Sequence, residues 1–447
     1  MDNKTIYALS TTFGKSGVAV IRISGAKAKS VISQMTSLDE QSIKPRYAYF
    51  IDLQDINHQC TIDKCLLLYF KAPCSFTGED IVELQTHGSK AVIKSVLENL
   101  SQLPDFRMAE AGEFSKRAFY NGKMDLTEAE GLADLIDAET SVQQKYAIRQ
   151  MEGNLKNLYE EWRSSLVEIM AYLEAFIDFP DEEIPHDVVE KINNTVFKLK
   201  SAINQHLSSD NIGERLREGF RVVIVGRPNA GKSSLLNAIA QRDVVIVSDI
   251  EGTTRDAIDI HLDVKGYPVT ITDTAGIRET EEAIEKQGVE IALQKIKDAD
   301  LLLCLYDAQN DTPDVFANIA KEFAEKMIYV ANKQDKLTNM QIKQIKDKNI
   351  TLISAKSHDG IDKIMNKIAE IIDDMFTENS SLLITRTRYR EALSEALNAL
   401  NMFSLDKEIE LSAEDIRLAA RELGKITGRI EVDEILDKIF GSFCIGK

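Results

Sequence analysis

The chain's 447 residues are enough for about three domains, and with 44% apolar and 28% charged residues it is ordinary globular material. No window reaches the roughly 18 consecutive apolar residues that a bilayer-spanning helix needs, and Met1-Asp2-Asn3-Lys4 lacks a signal-peptide core, which points to a cytoplasmic protein with no membrane contact. A net charge of −18 argues against a protein that grips nucleic acid over a broad basic face by itself, so any RNA contact is local or shared with a partner.

The first 120 residues read as a separate α/β domain. Short β-like runs such as Gly17-Val18-Ala19-Val20-Ile21-Arg22-Ile23 and Cys65-Leu66-Leu67-Leu68-Tyr69-Phe70 accompany a helix expected over Lys90 to Leu100. Five cysteines (Cys60, Cys65, Cys74, Cys304, Cys444) form no C-x-x-C pair and the six histidines show no ligand spacing, which disfavours structural zinc and a disulfide framework. Amphipathic helix follows. Thr127-Glu128-Ala129-Glu130 reads as a capping box, with Leu132, Leu135 and Ile136 at helical spacing behind it. Helical pattern continues through Trp162 to Phe179-Pro180, breaks at Asp181-Glu182-Glu183 and Pro185, and resumes from His186 to Leu207.

Next comes the apolar run Arg221-Val222-Val223-Ile224-Val225, then Gly226-Arg227-Pro228-Asn229-Ala230-Gly231-Lys232-Ser233-Ser234, then the helix-like Leu235-Leu236-Asn237-Ala238-Ile239. Strand, glycine-rich turn and helix N-terminus are the context that makes G-x-x-x-x-G-K-S a phosphate site. Backbone N–H groups converge on phosphate oxygens, Lys232 reaches the β/γ-phosphates and Ser233 holds Mg²⁺.

Three further motifs end strand-like runs. Asp273-Thr274-Ala275-Gly276 follows Val269-Thr270-Ile271-Thr272; the aspartate suits water-mediated contact with Mg²⁺ and the Gly276 amide can sense a γ-phosphate. Asn332-Lys333-Gln334-Asp335 ends Met327-Ile328-Tyr329-Val330, and the Asp335 carboxylate can accept both N1–H and N2–H of guanine, a donor pair adenine lacks, while Lys333 lies along the ring. Ser354-Ala355-Lys356 follows Ile350-Thr351-Leu352-Ile353 and offers a backbone N–H to guanine O6. Each motif alone is weak, but four in this order after four strands point to a GTP site.

Gly252-Thr253-Thr254 lies where GTPases carry the threonine that joins Mg²⁺ in the triphosphate state, and Thr254 takes that role. Ile277 stands where many GTPases place a water-orienting glutamine. An aliphatic side chain holds no water, so the carboxylates of Arg278-Glu279-Thr280-Glu281-Glu282-Ala283-Ile284-Glu285-Lys286 are all candidates, most of them a solvated face. Cys304, inside Leu301-Leu302-Leu303-Cys304-Leu305, reads as core. Beyond the nucleotide motifs, Arg386 to Leu405 returns to helical pattern and Ser412-Ala413-Glu414-Asp415 reads as the cap of one more helix.

The fold class expected is therefore α/β multidomain: an N-terminal α/β domain (1–120), a helical domain in two parts (121–217 and 378–447), and an inserted P-loop GTPase domain (218–377) with a Ras-like, mostly parallel sheet and helices on both faces. Domains whose ends lie close together are tolerated as insertions at exposed loops.

With these residues in view, the chain resembles the bacterial MnmE (TrmE) family of tRNA uridine-5-carboxymethylaminomethyl modification GTPases along its whole length. The resemblance rests on Gly17-Val18-Ala19-Val20-Ile21-Arg22-Ile23-Ser24-Gly25, Ser75-Phe76-Thr77-Gly78-Glu79-Asp80, Glu83-Leu84-Gln85-Thr86-His87-Gly88, Gly112-Glu113-Phe114-Ser115, Lys123-Met124-Asp125-Leu126, the GTPase set and the final Phe443-Cys444-Ile445-Gly446-Lys447. It implies an N-terminal domain that binds a tetrahydrofolate derivative (5-formyl or 5,10-methylene form) and makes a homodimer, with folate contacts at Arg22, Glu83, Lys123 and Lys447. It implies potassium held by Asn229 and by backbone carbonyls of Ser248, Ile250 and Thr253, within a nucleotide-contacting segment Ser248-Asp249-Ile250-Glu251-Gly252-Thr253-Thr254. It matches the family's water-orienting glutamate to Glu285.

The activity so implied is a potassium-activated GTPase that, with an FAD-dependent MnmG (GidA)-like partner in a hetero-oligomer, adds a carboxymethylaminomethyl or aminomethyl group to C5 of the wobble uridine of certain tRNAs. Cys444 has two readings, a reactive thiol for the modification chemistry or packing within Phe443-Cys444-Ile445. A ribosome-assembly or regulatory GTPase is one alternative, but it would need an RNA-binding domain with a basic G-x-x-G loop, and none is found in the sequence. A structural dynamin-like GTPase is the other, and it would predict lipid binding without a folate site.

Overall fold

The computed structural model describes residues 3–179, 185–208, 212–241, 259–273, 294–346, 350–377, 383–430 and 433–446. By contacts the chain divides into two compact units, Met1–Ala133 with Gln150–Val167 and Ala420–Lys447, and Asp134–Arg149 with Glu168–Ala419.

The first unit is built on a six-stranded sheet of β1 (Thr5–Leu9), β2 (Ser16–Ser24), β3 (Tyr49–Gln54), β4 (Thr61–Phe70), β5 (Ile81–Gly88) and β6 (Phe106–Met108), in the order β3-β4-β5-β2-β1-β6. Period-two alternation sorts its side chains. Ile21, Ile23, Leu53, Leu67, Val82 and Leu84 face α1 (Val31–Met35) and α2 (Lys90–Ser101) in one core. Ala8, Arg22, Glu83 and Leu68 oppose one another in a row across β1, β2, β5 and β4. Alternation therefore places them on the other face.

Two helices follow the sheet, α3 (Glu113–Tyr120) and α4 (Leu126–Ile136). The N-terminus of α4 differs from the expected box at Thr127. Asp125 is the cap: its Oδ1 accepts from the Glu128 N–H and the Thr127 hydroxyl, while Glu128 Oε2 accepts from the Asp125 N–H at 2.7 Å. Asp125 competes two residues earlier with the same reciprocal geometry, and Thr127 falls inside the helix. The next helices are α5 (Ser141–Met151), α6 (Asn154–Asp178), α7 (His186–Leu207) and α8 (Ile212–Glu218).

The second unit holds a six-stranded sheet of β7 (Phe220–Val225), β8 (Asp259–Val264), β9 (Tyr267–Asp273), β10 (Leu301–Asp307), β11 (Met327–Asn332) and β12 (Thr351–Leu352). Its order is β12-β11-β10-β7-β9-β8, parallel except for the antiparallel edge pair β8/β9. Separate apolar clusters cover its two faces, Cys304 lies fully buried in one of them, and burial pushes that thiol up to about 12. Helix α9 (Lys232–Ala240) follows β7, and α10 (Ala317–Phe323), α11 (Asn339–Lys346) and α12 (Ile361–Thr377) complete the domain.

After it come α13 (Thr387–Met402), α14 (Ile409–Thr427) and α15 (Asp433–Gly441). Helix α7 buries Ile192, Val196, Leu199 and Ile203, the 3.6-residue stripe, and packs on α13. Ser412 is a second corrected cap. Helix α14 already begins at Ile409, and the Ser412 hydroxyl donates to the carbonyls of Ser404 and Glu408 from inside the first turn. In the first unit the chain's end returns to residues after position 120: Leu436, Phe440 and Phe443 share a buried cluster with Leu126 and Ala129.

Burial raises the Asp125 carboxyl to about 6, against the lowering effect of the bonds from Glu128 and Thr127, and its Oδ2 is buried without a hydrogen-bond partner among the described residues. A folded-state value above the unfolded one gives stability that is complete at low pH and is lost as pH rises through about 6. Asp125→Asn keeps the Oδ1 acceptor and removes the titration. Thermal unfolding between pH 4 and pH 8 should therefore shift in favour of the variant by on the order of 1–3 kcal/mol across that range. Parallel pH profiles for the two proteins would contradict the assignment.

Candidate functional site

The turn from β7 to α9 places the phosphate-binding candidates at the C-terminal end of the parallel strands, where ligands of open α/β sheets bind. Gly231 is the N-cap of α9 at φ +96°, and a Cβ there would sit 2.3 Å from Asn332 Nδ2. Only glycine fits both demands. Asn229, one residue into the left-handed region at φ +63°, is exposed, as are Ser233 and Ser234. Lys232 is buried, and its ammonium donates to the Gly226 and Arg227 carbonyls at 3.0 and 3.2 Å. The Ser233 hydroxyl donates at 2.8 Å to Oδ2 of Asp273, the buried last residue of β9. A hydroxyl and a carboxylate are thus paired beside the loop, the donor set suited to a hard cation such as Mg²⁺.

Asn332 joins the phosphate side to the base side. Its buried amide donates to the Ala230 carbonyl at 2.8 Å and accepts from the Ala355 N–H at 3.0 Å and the Lys333 N–H at 2.8 Å. Lys333, at φ +67°, reaches Asp307 at 2.8 Å. Burial works to raise the Asp307 carboxyl, and the Lys333 ammonium, the Gln309 N–H and the Asn310 amide together hold it below the usual range. Asp335 Oδ1 accepts from the buried Ser354 hydroxyl at 2.7 Å, which keeps this exposed carboxylate ionised to lower pH than usual. Lys356 is exposed. Asn332, Lys333, Asp335, Ser354 and Ala355 therefore meet at one end of β11 and β12, next to Ala230 and Gly231.

Ser248, Asp249, Ile250, Glu251, Gly252, Thr253, Thr254, Thr274, Ala275, Gly276, Glu285 and Lys447 lie outside the described residues. Among the described residues no group of three or more His, Cys, Asp or Glu is placed to hold a metal. None of their helices is long and apolar enough to cross a membrane.

A second cluster occupies the first unit. Arg22 donates through Nε to Glu83 Oε1 at 2.9 Å, and its guanidinium carbon lies 5.5 Å from the Phe76 ring centroid and 5.7 Å from that of Phe114. The planar cation is held by one ion pair and two ring faces. Beside it, buried Arg117 bonds both oxygens of Glu79 at 3.1 Å and Glu113 at 3.1 Å, and Arg107 grips Glu113 at 2.6 Å. Ser24 donates to Glu79 at 2.7 Å. Lys123 is exposed next to Gly78. The chain's end comes to this unit's strands: Ser10 Oγ donates to the Gly446 carbonyl at 3.1 Å, Ile445 bridges Ala111, and the Gly112 N–H donates to the Cys444 carbonyl. Cys444 is an exposed free cysteine, while Phe443 is buried.

Sequence reading missed Asp307, whose only signal was an acidic residue ending the apolar run at 301–305. It also missed Phe76 and Phe114 as supports of Arg22, although both stand in motifs it had singled out.

Comparison with known proteins covers nearly the whole chain. A model of the MnmE helical domain matches residues 126–444, and one of the GTP-binding protein TrmE N-terminus matches residues 5–123. The tRNA modification GTPase MnmE of Rickettsia bellii (strain RML369-C) is 46% identical over 446 residues, 99% of this chain and 100% of its own length. That of Wolbachia sp. subsp. Drosophila simulans (strain wRi) is 47% identical over 447 residues, 100% of this chain and 99% of its own. Among solved structures, the G domain of the T. maritima FeoB iron transporter aligns over 34% of this chain and 97% of its own at 24% identity and TM-score 0.25.

Asn332→Ala removes the acceptor of the Ala355 N–H and the donor to the Ala230 carbonyl together, and a buried backbone group left unpaired costs about 1–3 kcal/mol. Urea unfolding should register a loss of roughly 2–4 kcal/mol in the absence of nucleotide. An unchanged transition would show that the two loops are held by something other than this amide.

Proposed function

The chain belongs to the tRNA modification GTPase MnmE family, and on that premise we propose that it is a potassium-activated GTPase that modifies C5 of the wobble uridine of certain tRNAs together with a flavin-dependent partner, using a tetrahydrofolate one-carbon unit. The observation that carries the nucleotide half of this reading is the bridge of the buried Asn332 amide from Ala230 of the phosphate loop to Ala355, whose neighbour Ser354 holds Asp335, with Ser233 and Asp273 paired at the same loop. The reading takes the chain as a cytoplasmic homodimer with an N-terminal folate domain (1–120), a helical domain (121–217 and 378–447) and an inserted GTPase domain (218–377).

Each residue then has a task. Asp335, kept ionised by Ser354, accepts the two guanine donors, the Ala355 N–H lies next to the base site, and the α9 N-terminus with Lys232 takes the phosphates. Ser233 with Thr254 would hold Mg²⁺, and Asp273 would contact it through water. Asn229, exposed at the phosphate loop, would hold potassium with the carbonyls of Ser248, Ile250 and Thr253 and so supply positive charge where other GTPases use an arginine finger. Glu285 would orient the attacking water, since Ile277 cannot. On the first unit, Arg22, Glu83, Lys123 and Lys447 would hold the folate: Glu83 suits the donor edge of a pterin, and the cations suit an anionic tail. Residues 445 and 446, just before Lys447, are held on that unit by the Ser10 to Gly446 bond and the Ile445 bridge. Cys444, exposed beside it, is the candidate thiol for the modification chemistry.

GTP hydrolysis should be fast in potassium and slow in sodium at equal ionic strength. Loss of one preorganised charge-stabilising group costs about 10²-fold or more in rate, which sets the expected ratio. Equal turnover in the two salts, measured by phosphate release, would remove potassium from the mechanism.

A further inference from the structure

The antiparallel pair β8/β9 lies in sequence between the two segments that the proposed function assigns to sensing the nucleotide. In sequence Thr254 stands just before β8, and Thr274-Ala275-Gly276 follows β9 directly. Within the described residues, Asp273 at the end of β9 is tied to Ser233. The ladder runs unbroken from Asp259 opposite Thr272 to Val264 opposite Tyr267, and the turn residues Lys265 and Gly266 take φ of +53° and +94°, the pattern of a tight two-residue hairpin. Such a ribbon is a stiff arm: at about 3.3 Å per residue its tip lies roughly 20 Å from Asp273.

The tip does not end in solvent. Gly266 O accepts the Val142 N–H at 3.2 Å, one of the early helix donors that α5 itself cannot satisfy. A Cβ on Gly266 would stand 2.7 Å from Ser141 Oγ and 3.1 Å from Val142 Cγ2, so the two elements are in close contact. Tyr267 next to it donates to Asp373 on α12 at 2.7 Å and stacks on Phe376 at 5.1 Å, whose ring also faces Tyr146 of α5 at 6.0 Å. The same first turn of α5 carries its own reciprocal cap, Thr140 N–H to Gln143 Oε1 at 3.0 Å and Gln143 N–H to Thr140 Oγ1 at 3.4 Å. Gln143 Nε2 donates onward to the Arg217 carbonyl, just before β7. At its other end α5 supplies Gln150, whose buried amide donates at 2.9 Å to the Thr127 carbonyl in the first turn of α4, the turn capped by Asp125 and preceded by Lys123.

We propose that the seat of the β8/β9 tip on the first turn of α5 is the coupling contact of this enzyme: nucleotide-dependent displacement of the hairpin is passed through Gly266 and Tyr267 to α5, and along α5 to the segment that carries Lys123 and Asp125. The residues of this contact are positioning residues, outside both sets of residues assigned above to nucleotide and folate. The proposal rests on the reading that GTP turnover serves a second reaction elsewhere in the chain.

The test is hydrogen exchange on the full-length protein with GDP and with a non-hydrolysable GTP analogue, read at the α5 amides. Coupling free energies between sites correspond to about 5–150-fold, so α5 protection should differ between the two states by at least about fivefold. In Gly266→Ala, whose added Cβ meets Ser141, that difference should collapse and uridine modified per GTP hydrolysed should fall by about fivefold or more, with GTP hydrolysis within about twofold of wild type. If Gly266→Ala also loses hydrolysis, Val142→Ala repeats the measurement with only methyl groups removed. Wild-type α5 protection that ignores the nucleotide, or a variant with intact hydrolysis that still modifies at the normal ratio, overturns the proposal. A wild-type protein that modifies no tRNA would instead overturn the functional reading, and α5 exchange would still decide the coupling.

Discussion

The buried amide of Asn332 is the constraint on which the candidate nucleotide site depends. One side chain satisfies a carbonyl of the phosphate loop, an N–H of the Ser354-Ala355-Lys356 loop and the N–H of its own successor. A primary amide offers a donor and an acceptor fixed in one plane, which neither an aspartate carboxylate nor a serine hydroxyl does. Around that bridge the remaining charges fall into local pairs: Lys333 with Asp307, Asp335 with Ser354, Ser233 with Asp273. Each pair holds a group of the candidate motifs in one orientation at the strand ends, which is the preorganisation that the proposed binding of a base and a triphosphate would require.

The first unit uses a different device. Arg22 is fixed by an ion pair across the strands and by two aromatic faces, one from the loop before β5 (Phe76) and one from the first turn of α3 (Phe114), and the Glu79, Glu113, Arg117 and Arg107 network anchors both segments. Breaking one member of such a buried network leaves an uncompensated charge, so the network resists rearrangement and lends its rigidity to Arg22. The terminal segment is placed by backbone contacts to Ser10, Ala111 and Gly112 rather than by its own secondary structure. Backbone anchoring leaves the side chain of Cys444 exposed.

What could be read from the sequence followed from the range over which its signals act. Strand, loop and helix around Gly226–Ser234 were legible because a phosphate loop needs all three within a short span, and the long helices ending at Asp178 and Leu207 showed their period directly. Both misplaced caps came from a short pattern that matches inside helices as readily as at their ends: Thr127 lost to Asp125 two residues upstream, and Ser412 to an earlier start at Ile409. The aromatic support of Arg22 was invisible because Phe76 and Phe114 reach it only through the tertiary fold. The seat of Gly266 on α5 was invisible for the same reason. A glycine after lysine signals a turn, not what the turn will touch.

The central claim is that one chain carries a nucleotide site around Asn332 and a separate modification site around Arg22, Glu83 and the terminal segment. Deleting residues 444–447 tests it most directly, with potassium-stimulated GTP hydrolysis assayed on the purified protein and wobble-uridine nucleosides profiled by mass spectrometry in cells that carry only the shortened chain. The account predicts hydrolysis close to the full-length rate and loss of the modified nucleoside. Loss of hydrolysis together with modification, or modification that survives the deletion, would contradict it.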